Sequence, residues 1–479
     1  MDPGGLRPVE IGIPPRRLAR FADILPPERY EASLATLGRV AGMLRGRVVW
    51  HVSSTARGGG VAEMMGPLIG YARDAGVDTR WMVIEGSPEF FAITKRLHNS
   101  LHGDPGDGGE LGAAERREYE RVLHDNAVEL TAIVRPGDVV VLHDPQTAAL
   151  VPAMRRRGAR TAWRCHIGHE NLDDPLVARG WSFLEPYLRD ADLTVFSRPA
   201  YVPACCARGR VEIITPSIDP FSPKNQDLSP EAVRSILVHA GLAERVRDGD
   251  GAVCVRDDGA PGRVDRGADI LHLGLPPRWD TPIVLQVSRW DRLKDPVGVM
   301  AGFAMLDETE AAGACLVLAG PAVTGVADDP EGPAVYAEVV RAWQDLPHRT
   351  RHRVQLAMLP VVDVQENAAM VNALQRHAAV VVQKSLQEGF GLTVAEAMWK
   401  SRPVVAGAVG GIVDQIDDGR DGVLVDPTDP AAFADALRGL LADPERAQTM
   451  GEAGHARVRD HLLSIRHLAD YARVLETVI

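Results

Sequence analysis

A chain of 479 residues is too long for one ordinary core and predicts two large domains. Hydrophobic residues make up 45% and charged residues 25%, enough apolar material for full cores, which excludes a disordered or fibrous chain. With 53 Lys and Arg against 65 Asp and Glu, the formal charge of −12 leaves no footprint for generic nucleic-acid or anionic-membrane binding, though local basic spots can still hold a small phosphorylated ligand.

The N-terminus, MDPGGLRPVEIGIPPRRLARF, carries Pro and Arg where a signal peptide needs an apolar stretch. The longest apolar runs, such as VVVL at 139–142 and AAVVV at 378–382, are too short to span a bilayer, so a cytoplasmic protein is expected. RVVWHVSS (47–54), TRWMVIEG (79–86), DVVVLHD (138–144), RTAWRCHIG (160–168) and DLTVFS (192–197) read as buried strands. So do PIVLQVS (282–288), ACLVLAG (314–320), RVQLAML (353–359), AAVVVQ (378–383), PVVAGA (403–408) and GVLV (422–425). Helix-like stretches such as VAEMMGPLIGYARDAG (61–76) and DPVGVMAGFAMLD (295–307) lie between them. The alternation predicts parallel α/β sheets covered on both faces, and eleven strands predict two of them.

Pro216, Pro220 and Pro223 place a hinge near 216–224, separating domains at 1–218 and 224–461. The Asp-, Gly- and Arg-rich stretch at 245–268 is expected to be an irregular surface insertion. Leu468, Tyr471 and Leu475 mark a last helix, within 462–479, expected to return to the first domain. Five cysteines without CxxC spacing argue against a disulfide framework or a structural zinc site.

Three motifs carry chemistry. In HVSSTARGGGVAEMM (51–65), Gly58, Gly59 and Gly60 let backbone N–H groups approach an anion at a helix N-terminus, although a plain tight turn explains them as well. In VSRWDRLKDP (287–296), Arg289 and Lys294 follow a strand end, where two cations can converge on a phosphate group. In QKSLQEGFGLTVAEAMW (383–399) a strand ends at Gln383 and a helix starts near Leu392 or Thr393. Its N-terminus at Gly391-Leu392-Thr393 offers free N–H groups to a diphosphate. Glu388 and Glu396 flank that N-terminus, and could accept hydrogen bonds from two polyols separated by phosphates. A nucleotide sugar has that layout; solvent-facing side chains are the plain alternative.

Glu388 and Glu396, with Arg289 and Lys294 five apart after an earlier strand, resemble the signature of retaining glycosyltransferases of family 4. HVSSTARGGGVAEMM, RWMVIEGSPEFFAITKRLHNSLHG (80–103), HDPQ (143–146), WRCHIG (163–168), VSRWDRLKDP and SLQEGFGLTVAEAMWK resemble the trehalose glycosyltransferring synthases within it, a group that also contains retaining trehalose phosphorylases. The similarity covers most of 45–475. One departure stands out: after His166 the group usually has Ile-Asp, and this chain has Ile167-Gly168-His169.

The resemblance implies a GT-B fold: two Rossmann-like domains facing a central cleft, the last helix crossing back to the first. It implies that Arg289 and Lys294 neutralise the leaving diphosphate, that Glu388 contacts the donor hexose, and that Glu396 contacts the ribose. Gly391, Leu392 and Thr393 would give backbone contacts, Gly59 and Gly60 would close over the phosphates, and the base would sit near Leu359. His166 corresponds to a histidine beside the donor sugar. The acceptor would meet Glu85, Lys95, Asn99, Asp144 and Gln146.

The implied reaction moves glucose from a nucleoside-diphosphate glucose, ADP- or UDP-linked, to the anomeric hydroxyl of free glucose, with retention by front-face attack. The expected partners are the nucleotide sugar and a small sugar acceptor, with no nucleic acid and no membrane, and a homodimer left open. No metal is required where Arg and Lys fill its role, and no Asp-x-Asp motif stands in a suitable loop. The alternatives are a phosphorylase that uses trehalose and phosphate, and a non-catalytic sugar- or nucleotide-binding regulator.

Overall fold

The computed structural model describes residues 6–56, 59–244, 252–323 and 331–479. The chain forms two compact units: the residues up to Ser217 together with Leu462–Ile479, and Ile218–His461.

The first unit holds β1 (Val9–Ile11), β2 (Val49–Ser53), β3 (Thr79–Val83), β4 (Val139–His143), β5 (Arg160–Arg164), β6 (Leu193–Phe196) and β7 (Val211–Ile213). They lie in the order β1-β3-β2-β4-β5-β6-β7, parallel except β1, which runs antiparallel to β3. β4 is buried at every residue, because helices cover both faces of a parallel sheet. The core beside it is aromatic: Phe90, Tyr119, Trp163, Phe183, Phe196 and Tyr201.

The expected last helix is present as Ser464–Glu476 and packs against the helices Pro27–Met43 and Gly59–Asp74. Its buried stripe includes Leu468, Tyr471 and Leu475, the residues that predicted it. Arg466 fastens it by donating to the carbonyls of Thr215 (2.8 Å) and Pro216 (3.0 Å).

The second unit holds β8 (Val253–Val255), β9 (Pro261–Arg263), β10 (Asp269–Leu271), β11 (Ile283–Val287), β12 (Cys315–Pro321), β13 (Val354–Leu359), β14 (Val380–Gln383), β15 (Val404–Gly407) and β16 (Val423–Val425). Seven of them form a sheet ordered β10-β13-β12-β11-β14-β15-β16, all parallel except β10. All eleven expected strands are thus observed, and β1, β7 and β10 extend the two sheets.

The insertion differs from expectation. Residues 245–251 lie outside the described residues, but residues 253–263 form an ordered hairpin, β8 paired antiparallel with β9. Its turn uses Gly259 at φ +84°, a conformation open to Gly at no steric cost. The helix Val364–His377 anchors it. Arg256 pairs with Asp363 at 2.5 Å, Asp257 N–H donates to Gln365 (2.8 Å), and the N–H groups of Asp265 and Arg266 both donate to the buried Glu366 carboxylate (2.6 Å each). Arg266 adds its guanidinium to the same carboxylate. Among the described residues no helix is long and apolar enough to cross a membrane.

Candidate active site

In the second sheet the strand order reverses between β11 and β14. A doubly wound sheet opens its ligand crevice there, outside the carboxyl ends of the strands. The loop after β11 carries Arg289 and Lys294, and the loop after β14 carries Glu388. The two loops are joined by Leu386 N–H donating to Leu293 C=O (2.8 Å) and by an ion pair between Lys294 Nζ and Glu388 Oε2. Ser385 Oγ (3.2 Å) and Gln383 Nε2 (3.4 Å) also donate to Glu388 Oε2. Arg289 is half exposed, with its guanidinium 3.3 Å from Asp291. Asp291 also accepts Leu293 N–H (2.8 Å), so the turn that carries both cations is itself fixed.

Lys294 is braced from behind. The next residue, Asp295, takes a left-handed conformation (φ 48°) and caps the helix Pro296–Ala304 by accepting Gly298 N–H (2.9 Å). Its other oxygen pairs with Lys384, whose side chain is only 3% exposed. Gln286 donates to the Lys294 carbonyl at 2.9 Å.

Beyond Glu388 the helix Leu392–Trp399 opens at Gly391, φ +83°. A Cβ there would stand 3.1 Å from both Glu388 Cγ and Ile412 Cγ1, so glycine answers both the backbone and the space. The first-turn N–H groups, Leu392 and Thr393 among them, have no partner within their own helix. Glu396 is buried, 3.6 Å from Lys224 Nζ, and Lys400 below it donates to Asn225 Oδ1 (2.9 Å) and to the Glu396 carbonyl (3.1 Å). Burial pushes the Lys400 ammonium down to about 7. Leu359 ends β13 with its side chain in the core and its carbonyl accepting Ala322 N–H (2.9 Å). Its side chain therefore packs the sheet rather than lining an open pocket.

In the first sheet the order reverses between β2 and β4. Gly59 (φ +75°) and Gly60 open the helix Gly59–Asp74 after β2, while Gly58 lies outside the described residues. Asp144 follows β4 at φ 63° and accepts the backbone N–H of His166 at 2.7 Å. Desolvation among the surrounding protein atoms pushes its carboxyl up to about 7. Gln146 is close by in sequence, with a buried Oε1 that no described residue hydrogen-bonds.

The other expected acceptor residues are more dispersed. Glu85 is exposed after β3, its carboxylate accepting Arg7 N–H (3.0 Å). Lys95 and Asn99 stand one turn apart on the helix Pro88–Leu101, Lys95 exposed. His166 follows β5 and is buried, not alone but hydrogen-bonded to His143, which is bonded to His51.

His51, His143, Lys224, Asp295 and Lys384 are neighbours of the candidate residues that the motifs alone do not single out. A histidine in or just after each of three strands was the available signal for the first two; nothing local pointed to Lys224.

Gly168 has a physical reason of its own. A Cβ at this position would lie 2.4 Å from Cγ of the Tyr201 ring and 2.7 Å from its Cβ, and Tyr201 is fully buried. Gly168→Ala is therefore expected to cost about 1–3 kcal/mol by overpacking. Thermal unfolding checks it, and an unchanged midpoint would mean that the ring yields.

Comparison with known proteins agrees with this geometry. Residues 51–203 match the family model "Trehalose synthase, N-terminal domain", and residues 275–457 match "Glycosyl transferases group 1". A trehalose synthase from Rubrobacter xylanophilus is 36% identical over 97% of each chain. A trehalose phosphorylase from Pleurotus pulmonarius is 26% identical over 87% of this chain and 55% of its own length. Among solved structures, a UDP-forming α,α-trehalose-phosphate synthase from Burkholderia xenovorans superposes with TM-score 0.66 at 15% identity, covering 90% of this chain and all of that one. With two Rossmann-like sheets, the switch-point residues on β11 and β14, and this similarity along nearly its whole length, the chain belongs to the trehalose synthase family of GT-B glycosyltransferases.

Proposed function

We propose that the protein transfers glucose, with retention, from a nucleoside-diphosphate glucose to the anomeric hydroxyl of free glucose, making trehalose as a cytoplasmic enzyme. The observation that carries this reading is the meeting of Lys294 with Glu388 at the β11–β14 switch point, beside the helix that opens at Gly391.

Lys294 and Arg289 take the charge that develops on the departing diphosphate, assisted by the N–H groups of Leu392 and Thr393. Such preorganised electrostatics is the largest catalytic contribution expected here. Glu388 holds the donor hexose, Glu396 the ribose, and Lys224 stands beside Glu396 at 3.6 Å. Gly59 and Gly60 approach the phosphates; Asp144, Gln146, Glu85, Lys95 and Asn99 serve the acceptor. The leaving phosphate takes the proton of the attacking hydroxyl, and the two fixed cations make a metal ion dispensable.

The test offers purified protein each common nucleoside-diphosphate glucose with glucose. Nucleotide release and loss of reducing ends are expected, unchanged by EDTA. No nucleotide release from any donor would overturn the reading. Similarity to a trehalose phosphorylase over 87% of the chain favours one second reading. Formation of glucose 1-phosphate from trehalose and phosphate alone would establish it.

A further inference from the structure

Three histidines from neighbouring strands form a stacked, hydrogen-bonded file in the first unit. His51 stands in β2, His143 ends β4, and His166 is the second residue after β5; β2, β4 and β5 are adjacent. His51 Nδ1 lies 3.0 Å from His143 Nε2, and His143 Nδ1 lies 3.0 Å from His166 Nε2. Ring centroids are 5.3 Å apart at both steps, with interplanar angles of 26° and 13°.

A contact between two ring nitrogens at this distance needs one donor and one acceptor, so the rings cannot choose their tautomers independently. Three neutral imidazoles bring three N–H groups to two contacts. One N–H is left over, and it must emerge at one end of the file: His166 Nδ1 or His51 Nε2. No described residue hydrogen-bonds either of these nitrogens.

The surroundings favour the neutral state. Burial holds His143 and His166 well below the ordinary histidine range and His51 at about 4. Among the described residues, the groups around the file offer it no anion in hydrogen-bonding contact. Arg164 is fully buried beside it, donating to the carbonyls of Phe196 (2.7 Å) and Ile214 (2.6 Å). Cys165 keeps its proton, its thiol pushed up by burial. Asp144 is engaged with the His166 backbone N–H. From the last helix come Tyr471, edge-on to His51 at 6.3 Å, and the buried His467, which is bonded to Ser217 Oγ at 2.9 Å.

The two ends of the file differ. His51 lines a mostly apolar cavity of about 50 Å³, walled by Met64, Met65, Leu68 and Leu468 among others, with Thr79, His143 and Tyr471 its other polar side chains. An N–H group left bare among apolar side chains is rarer than a bare acceptor. The unpaired lone pair therefore belongs at His51, and the unpaired N–H at His166.

We propose that His51 and His143 are positioning residues that fix His166 in the neutral tautomer with its proton on Nδ1, so that His166 offers a hydrogen-bond donor, not an acid or a base, to an oxygen of the donor hexose. This rests on the proposed function and on the family resemblance, by which His166 corresponds to a histidine beside the donor sugar.

Imidazole nitrogen NMR of the full-length protein tests the tautomer without reference to activity. Protonated Nδ1 and bare Nε2 are expected at His166, His143 and His51, with no imidazolium form down to about pH 5. A proton on His166 Nε2, or a cationic His166 at neutral pH, overturns the proposal. His143→Phe keeps the ring volume and removes both contacts. Its kcat should fall about 10- to 100-fold, with the donor KM changed less than about threefold, as for a group displaced from its reactive geometry. An unchanged kcat in a folded His143→Phe protein also overturns it. If that variant does not fold, the imidazole nitrogen NMR of the wild-type protein still decides, because a proton on His166 Nε2 overturns the proposal whatever the variant does. If the wild-type protein releases no nucleotide from any donor, the functional reading fails, while the NMR result still decides the tautomer.

Discussion

Lys294→Ala should lower kcat about 10²–10³-fold, the loss expected when one preorganised stabiliser of transition-state charge is removed. The ammonium sits on Glu388 at the switch point, where the diphosphate and hexose are proposed to meet. On the proposed reading, its loss removes a cation from the leaving group and frees the carboxylate assigned to the sugar. Arg289→Ala should show a comparable fall, since its fixed turn points the second cation from the same loop. The fold should survive in both. Arg289 is half exposed, and Glu388 keeps the Ser385 hydroxyl and the Gln383 amide as donors. Steady-state kinetics and circular dichroism on the two variants check this. Near-wild-type turnover in either would move the diphosphate elsewhere.

The parts of the fold that were legible are those in which burial acts on several consecutive residues. Val139–His143 and Val380–Gln383 are buried throughout, so their hydrophobic runs announce central parallel strands. The missed strands β1, β7 and β10 have three residues each, at sheet edges, too short for any periodicity to show. The hairpin β8–β9 carried half a signal, Asp258-Gly259 after the β-prone Val253-Cys254-Val255, but its return strand is Pro261-Gly262-Arg263, whose first two residues are depleted in strands. Its charged composition outweighed that signal, because the charges of Arg256 and Arg266 are spent on Asp363 and Glu366, about 100 residues further on.

The candidate site divides in the same way. Arg289, Lys294, Glu388 and Gly391 were legible because each sits in a strand-turn-helix context that its neighbours define. The histidine file was not, because it depends on β2, β4 and β5 being adjacent, an order no local pattern reveals. Lys224 and Asn225 reach Glu396 and Lys400 from more than 170 residues away, at the start of the second unit. Part of the proposed donor half-site is thus set by residues that local sequence pattern assigns to a hinge.

Asp295→Ala should be strongly destabilising. Its carboxylate does two things at once, capping the helix Pro296–Ala304 through Gly298 N–H and neutralising the buried ammonium of Lys384. Removing one partner of a buried pair leaves an uncompensated charge and costs about 3–5 kcal/mol. For a cooperative unit of this size that is a fall of about 6–20 °C in Tm. Two further variants separate the causes. Asp295→Asn keeps a capping oxygen and a side chain that tolerates the left-handed backbone at φ 48°, so it should recover about 1 kcal/mol. Adding Lys384→Met to Asp295→Asn removes the orphaned charge and should recover most of the rest. Turnover should follow a different order. Lys294 depends on Asp295 for its position, so the double variant should regain stability without regaining full kcat. If Asp295→Ala unfolds at the wild-type temperature, the Lys384 ammonium has another counter-charge and the brace behind Lys294 is not electrostatic.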